Sequence, residues 1–379
     1  MRRVLILGGG FGGVSAAHNL RQELSDDDEI ILIDQREYYS VGFRKTWALL
    51  GISPMADGQR PLKLLEQQGI SVLHERITKL DPAAKTVETD QGRIEADAMI
   101  VALGAQLAPG LIPGFEEHAL NVYDGALIPD VKQRLDSFEG GRVVVGIFGV
   151  PYSCPPAPFE IAILLQEQYV ARGLDFRMQA FTPLPVTLPV LGESGCEVIE
   201  GYLAKNGIRL VPNRKALRVT ADEIHFTTGR MAYDLLLGIP PHRCPQVVVE
   251  AGLAEEGGWV EVNPRSLETS YDDVYAIGDL TSIPLANGKR LPKAGLFAEA
   301  QGEVVAKLIA ARFDSREGAA KFEGIGACFL EIGNGEAVLV EGDFFAKPTP
   351  RVSLTEASSA YVDQKLSSES ERLLKWFGR

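Results

Sequence analysis

The sequence predicts an α/β chain of two Rossmann-like domains followed by a small C-terminal α+β region. Three observations predict it. A strand, a glycine turn and a helix run from residue 2 into a second strand that ends on an acid. The alternation of strands and helices restarts near residue 106. A later strand ends in Gly278-Asp279 and leads into a helix with small residues on one side.

The opening stretch RRVLILGGGFGGVSAAHNLRQEL reads strand, turn, helix, and DEIILIDQ (28–35) returns as a buried strand. Gly8, Gly10 and Gly13 form G-x-G-x-x-G, and Asp34 follows Gly13 by 21 residues. In this βαβ setting the spacing is a dinucleotide fingerprint. Gly8 makes the tight turn, Gly10 lets a pyrophosphate reach the backbone, Gly13 lets helix and strand pack, and Asp34 accepts from a ribose hydroxyl. The competing reading is a tight strand-to-helix turn with no ligand.

Residues 70–104 alternate in short strands and complete the first part of this domain, 1–105. A second Rossmann-like domain is expected over 106–244, with a helix near 126–138, a strand at 142–148, a helix at 159–172, a strand at 175–183, and helix then strand over 193–211. The first domain resumes over 245–315 with DVYAIGDLTSIP (273–284) and the helical LPKAGLFAEAQGEVVAKLIAARF (291–313). The remainder, 316–379, holds two strands in ACFLEIGNGEAVLVEGDFF and an amphipathic ending.

At 379 residues, 45% hydrophobic and 23% charged, the chain has the balance of a globular protein with a sizeable core. A net charge of −13 argues against a nucleic-acid partner and offers no polybasic membrane patch. No apolar run reaches the length of a transmembrane helix. No signal-peptide pattern is visible, so a cytoplasmic location or a peripheral one at the membrane is expected. The four cysteines, Cys154, Cys196, Cys244 and Cys328, form no C-x-x-C, so neither a zinc site nor a disulfide scaffold is expected.

The stretch GVPYSCPPAPFE (149–160) follows the apolar strand RVVVGIF, where a second glycine loop for a dinucleotide belongs. Proline has no N–H to offer a pyrophosphate, and its ring fills the space glycine leaves open. The second domain is therefore expected to be degenerate for NAD(P). What stands there instead is a cysteine among prolines, with Glu160 at the start of the next helix. Thiolates are the reactive form of cysteine, and a nearby carboxylate suits proton transfer. A small buried Cys154 and a dipole-stabilised Glu160 are the plain structural readings.

This stretch, with residues 252–280, 291–306 and the ACFLEIG of 327–333, resembles the flavoprotein subunits of flavocytochrome c sulfide dehydrogenases. It resembles less closely the sulfide:quinone oxidoreductases of the same FAD-dependent pyridine nucleotide-disulfide oxidoreductase superfamily. The resemblance implies a sulfide-oxidising enzyme with a Cys154–Cys328 redox pair beside FAD and Glu160 as general base. It also implies Gly278 and Asp279 on the ribityl chain and Lys293 facing the flavin. Val41 stands where those subunits often carry a flavin-linking cysteine, so FAD is expected to be non-covalent; residues 105–153 lack the third cysteine of many sulfide:quinone oxidoreductases.

The electron acceptor is expected to be a quinone or a cytochrome c on a separate subunit, since no C-x-x-C-H is present. The ending DQKLSSESERLLKWFGR gathers Leu366, Leu373, Leu374, Trp376 and Phe377 with Lys365, Arg372, Lys375 and Arg379. It suits a membrane interface, or docking on the protein's own core. The rival readings are an NAD(P)H-dependent flavin dehydrogenase of the same fold and a non-catalytic, sulfur-carrying flavoprotein subunit.

Overall fold

A computed structural model describes residues 1–316 and 320–378. The chain enters through β1 (Arg3–Leu7), α1 (Phe11–Glu23) and β2 (Glu29–Asp34), then α2 (Arg44–Leu49), β3 (Ser71–His74) and β4 (Ala98–Val101). It crosses into β5 (Leu120–Asn121), α3 (Ile128–Asp136), β6 (Gly140–Ile147), α4 (Ala157–Ala171), β7 (Asp175–Phe181), α5 (Gly192–Lys205), β8 (Arg209–Val211) and β9 (Leu235–Ile239). It returns through β10 (Val274–Ala276) and α6 (Gly295–Phe313). It finishes with β11 (Ile325–Gly333), β12 (Glu336–Asp343), β13 (Arg351–Leu354) and α7 (Ala360–Phe377).

Two parallel sheets carry the architecture, in the orders β10-β4-β1-β2-β3 and β5-β9-β6-β7-β8. Strands in such sheets are covered on both faces and read as continuous apolar runs. Val4 to Leu7 and Val143 to Val145 accordingly have no more than 1% exposure. Gln106–Leu107 pairs antiparallel with His242–Arg243 where the chain passes between the two sheets. β11, β12 and β13 form a separate antiparallel sheet, one strand more than the two expected.

The glycine turn shows why its spacing is required. Gly8 sits at φ +109, and a Cβ there would stand 2.4 Å from the Ala102 carbonyl oxygen. A Cβ on Gly13 would stand 1.8 Å from the Gly8 carbonyl oxygen. α6 crosses α1 equally closely, since a Cβ on Gly302 would meet the Gly12 carbonyl oxygen at 2.4 Å. The small-residue face of α6 is thus the surface that seats α1.

α7 takes the second of the two places expected for the tail, the protein's own core. Its Leu373, Trp376 and Phe377 are buried in the core around α1 and β2, with Trp376 edge-on to Phe11 and Tyr39 at 6.1 and 5.5 Å. Arg372 packs over Phe11 and binds Glu299 at 2.8 Å. Only Leu366 and Leu374 of its apolar set are exposed. The tail docks on the protein's own core with its apolar face against Phe11 and Tyr39. No helix among the described residues is long and apolar enough to cross a membrane.

Candidate active site

β6 delivers the chain into the loop 148–156, whose course is set by two backbone contacts. A Cβ on Gly149 would collide with Pro241 at 2.9 Å, so the loop leaves the strand tight against that proline. The Cys154 N–H donates to the Lys293 carbonyl at 2.8 Å, and Ser153 bridges the same segment. Ser153 Oγ donates to Asp279 Oδ2. Cys154 adopts φ +50, a left-handed conformation that a non-glycine residue holds only when its surroundings over-determine it. Here the flanking prolines and the Lys293 contact do so. Pro156 caps α4 and Pro158 lies in its first turn, where no backbone donor is missed.

Cys328 lies on β11, which packs against α4. The two cysteines are electrostatic neighbours, and both are free, half-buried thiols. Burial pushes the Cys154 thiol well up, with Cys328 and Glu160 adding to the effect. Burial likewise raises Cys328, to about 11. Cys196 gives its thiol to the Leu188 carbonyl, and Cys244 is buried among apolar residues.

Glu160 is buried in the first turn of α4. It accepts from Lys365 Nζ at 2.8 Å and from the Glu331 N–H at 3.2 Å. Burial raises its pKa, and the Lys365 ammonium opposes the rise. Lys365 also donates to Glu331 at 2.7 Å, which accepts from Trp47 Nε1 at 2.6 Å. The rings of Phe43 and Trp47 flank the ammonium at 4.9 and 5.1 Å. Lys365 is 3% exposed and its pKa is raised, because two carboxylates outweigh its burial. One turn on, Glu369 is clasped by Arg44. Lys365, grouped by sequence with the charges of a tail suited to a membrane interface or to the core, is instead the shared counter-ion of Glu160 and Glu331. The signal for it was phase: Lys365 and Glu369 precede the buried Leu373 by eight and four residues, on one helix face.

Lys293 stands two residues before α6 and is buried rather than solvated. Its ammonium donates to the Asp279 and Thr281 carbonyls and lies over the Trp259 ring. Burial lowers its pKa to about 8. Asp279 is raised by its burial, against the Ser153 hydrogen bond. Lys45, Tyr123 and His242 complete this side, and sequence reasoning missed all three. Lys45 donates to the Tyr123 carbonyl at 2.9 Å, and the Tyr123 hydroxyl donates to the Cys154 carbonyl at 3.1 Å.

The glycine turn fits the cofactor that the fingerprint implies. A Cβ on Gly10 would meet nothing within 4 Å, although its neighbours Gly8, Gly9 and Gly13 are crowded. The N-cap of α1 has no side-chain hydrogen bond, which leaves backbone donors for a phosphate. Asp34 accepts from the Gly9 N–H at 2.6 Å and from Arg36. Burial alone would raise Asp34, but the Arg36 guanidinium brings it below the usual carboxylate range. Gly278, at φ +76, gives its N–H to Gln301 at 2.6 Å and turns the chain into Asp279. A Gly10→Val variant is expected to keep its thermal melt while losing bound flavin, read as the ratio of visible to protein absorbance. Retained flavin would place the phosphates elsewhere.

A family model described as pyridine nucleotide-disulphide oxidoreductase matches residues 2–302. The chain is similar to the mitochondrial sulfide:quinone oxidoreductase of Mus musculus, 22% identical over 98% of this chain and 85% of that protein. It is 26% identical to the sulfide-quinone reductase of Aquifex aeolicus, over 80% of this chain and 75% of that one. The solved sulfide:quinone oxidoreductase of Aquifex aeolicus shares the fold with a TM-score of 0.90 at 24% identity, across 100% of this chain and 92% of that structure.

Proposed function

The chain belongs to the pyridine nucleotide-disulphide oxidoreductase family, and from that premise we propose that it oxidises sulfide, through FAD, at the expense of a quinone. The observation that carries the reading is the Cys154–Cys328–Glu160–Lys365 cluster, set where a second dinucleotide loop would otherwise lie. The names of the relatives support sulfide as donor and quinone as acceptor. The division into an FAD domain (1–105 and 245–315), a degenerate second domain (106–244) and a C-terminal region (316–379) is part of the proposal.

FAD is held non-covalently by Gly8, Gly10, Gly13, Asp34, Gly278 and Asp279, with Lys293 beside it. Bound there, it would supply a two-electron acceptor. The chain's own residues handle sulfur and protons. In the oxidised resting form a disulfide joins Cys154 and Cys328, and hydrosulfide opens it. One sulfur becomes a persulfide and the other leaves as a thiolate, while Glu160 takes the proton of the attacking S–H. The ammonium of Lys365 offsets the negative charge this leaves between buried carboxylates. Exposed Leu366 and Leu374 on α7 offer the only part of the tail's apolar set free to touch a bilayer surface.

An anaerobic titration tests the reading. Sulfide is expected to bleach the flavin with a long-wavelength band, and a soluble quinone to restore it. Cys154→Ser is expected to abolish bleaching. Rapid bleaching by NADH with none by sulfide would sink the proposal in favour of the pyridine-nucleotide rival. Reoxidation by cytochrome c but not by quinone would replace the acceptor.

A further inference from the structure

We propose that His242 is the hydrogen-bond acceptor that positions hydrosulfide for attack at the Cys154–Cys328 pair; this rests on the sulfide-oxidising reading. His242 lies on the short strand that pairs with Gln106–Leu107 at the crossing between the two sheets. Its Nδ1 is 2.9 Å from the Pro240 carbonyl oxygen, and a carbonyl only accepts, so Nδ1 carries the hydrogen. Burial, with Lys45 and Lys293 adding to it and the Pro240 bond opposing it, lowers the imidazole to about 4. The neutral ring therefore presents Nε2 as a bare lone pair. That atom is buried, and among the described residues it has no partner.

The surroundings define what the lone pair suits. The imidazole stands edge-on to Tyr123, with centroids 5.6 Å apart at 85°. Tyr123 in turn holds the Cys154 carbonyl through its hydroxyl and Lys45 through its own carbonyl. The ring is thus one side chain away from the backbone of the reactive cysteine. Lys45 and Lys293 both add positive charge to this corner.

An acceptor lone pair in the field of two ammonium groups selects a small anion that itself carries a hydrogen. Hydrosulfide meets both conditions. Chloride brings the charge without the hydrogen, and water brings the hydrogen without the charge. His242 accepts the S–H hydrogen bond and leaves the sulfur lone pairs directed away from the ring. It holds that one hydrogen only while the ion docks and takes no proton itself; as the sulfur attacks, the hydrogen turns from Nε2 to Glu160, which takes it when the S–S bond opens. It is a positioning residue.

The test uses the flavin-loaded enzyme. His242→Phe keeps a ring against Tyr123 and removes the lone pair, and His242→Gln restores an acceptor oxygen. In anaerobic stopped-flow bleaching, His242→Phe is expected to raise the half-saturating sulfide concentration about 10–100-fold, with the limiting rate nearly unchanged. His242→Gln is expected to recover part of that loss. In the Cys154→Ser enzyme labelled with 15N-histidine, sodium hydrosulfide is expected to shift one Nε2 resonance of the five histidines, the one absent when His242→Phe is added.

An unchanged half-saturation with no shift overturns the proposal. So does a His242→Phe enzyme that loses flavin while keeping its sulfide dependence, for the lone pair then serves the cofactor. A wild-type flavin that sulfide does not bleach defeats the sulfide-oxidising reading; a surviving Nε2 shift would still support hydrosulfide binding at His242, and its absence would overturn both.

Discussion

A Lys365→Met variant is expected to be less stable by about 3–5 kcal/mol, the usual cost of removing one partner from a buried ion pair. Lys365 is shared by Glu160 and Glu331, and Glu160 and Lys365 are both almost wholly enclosed. Without the ammonium, two carboxylates stand together in a low-dielectric site with Trp47 as a neutral donor to one of them. Urea denaturation at neutral pH checks the size of the loss. The triple variant Lys365→Met, Glu160→Gln, Glu331→Gln is expected to regain most of it, because the stranded charges go with their partner.

The pH dependence of that deficit has a defined sign. Burial already raises Glu160 in the folded wild type, and Lys365 is what opposes the rise. In the variant the folded state holds the Glu160 proton more tightly still than the unfolded chain does. Stability is then greatest below the unfolded carboxyl value, about 4.3, and falls as pH climbs from there through the raised folded value. A deficit that is constant from pH 4 to pH 8 would show that charge is not its origin.

A Glu160→Gln variant is expected to behave in the opposite way, folding well and reacting poorly. Lys365 keeps Glu331 as a partner at 2.7 Å, so no charge is left alone. The amide keeps the acceptor for the Glu331 N–H but cannot take a proton at neutral pH. General-base catalysis typically contributes about 10²–10⁴-fold, so the rate of flavin bleaching by sulfide is expected to fall by about 100-fold or more. Stopped-flow reduction beside a thermal melt separates the two effects. A bleaching rate within threefold of wild type would assign Glu160 a purely structural part.

Which of these residues the sequence discloses follows from how local their reasons are. Gly8 and Gly13 are legible because the atom that excludes a side chain belongs to the same turn or to the strand beside it. Cys154 is legible because the prolines that fix it are its neighbours, and Glu160 because it opens the helix they cap. Lys365 was hidden because it meets its carboxylates only after α7 has packed across α4 and β11. Read along the chain, it is one basic residue in a mixed-charge amphipathic segment, which suits a membrane surface as well as a core. His242 was hidden for a similar reason, since nothing in PPHRCPQ announces that one imidazole nitrogen ends without a partner among the described residues. β13 escaped notice because RVSL is short and lies just beyond a proline-rich turn.

The pairing of Glu160 with Lys365 spans 205 positions of the chain, and this has a consequence for biosynthesis. At about 5–20 residues per second, the ribosome emits Glu160 tens of seconds before its counter-ion. For most of that interval the nascent chain has Cys154 but neither Cys328 nor the ammonium, and the carboxylate has no reason to enter the interior. Enclosure of Glu160 with its ammonium therefore waits until residue 365 has been made.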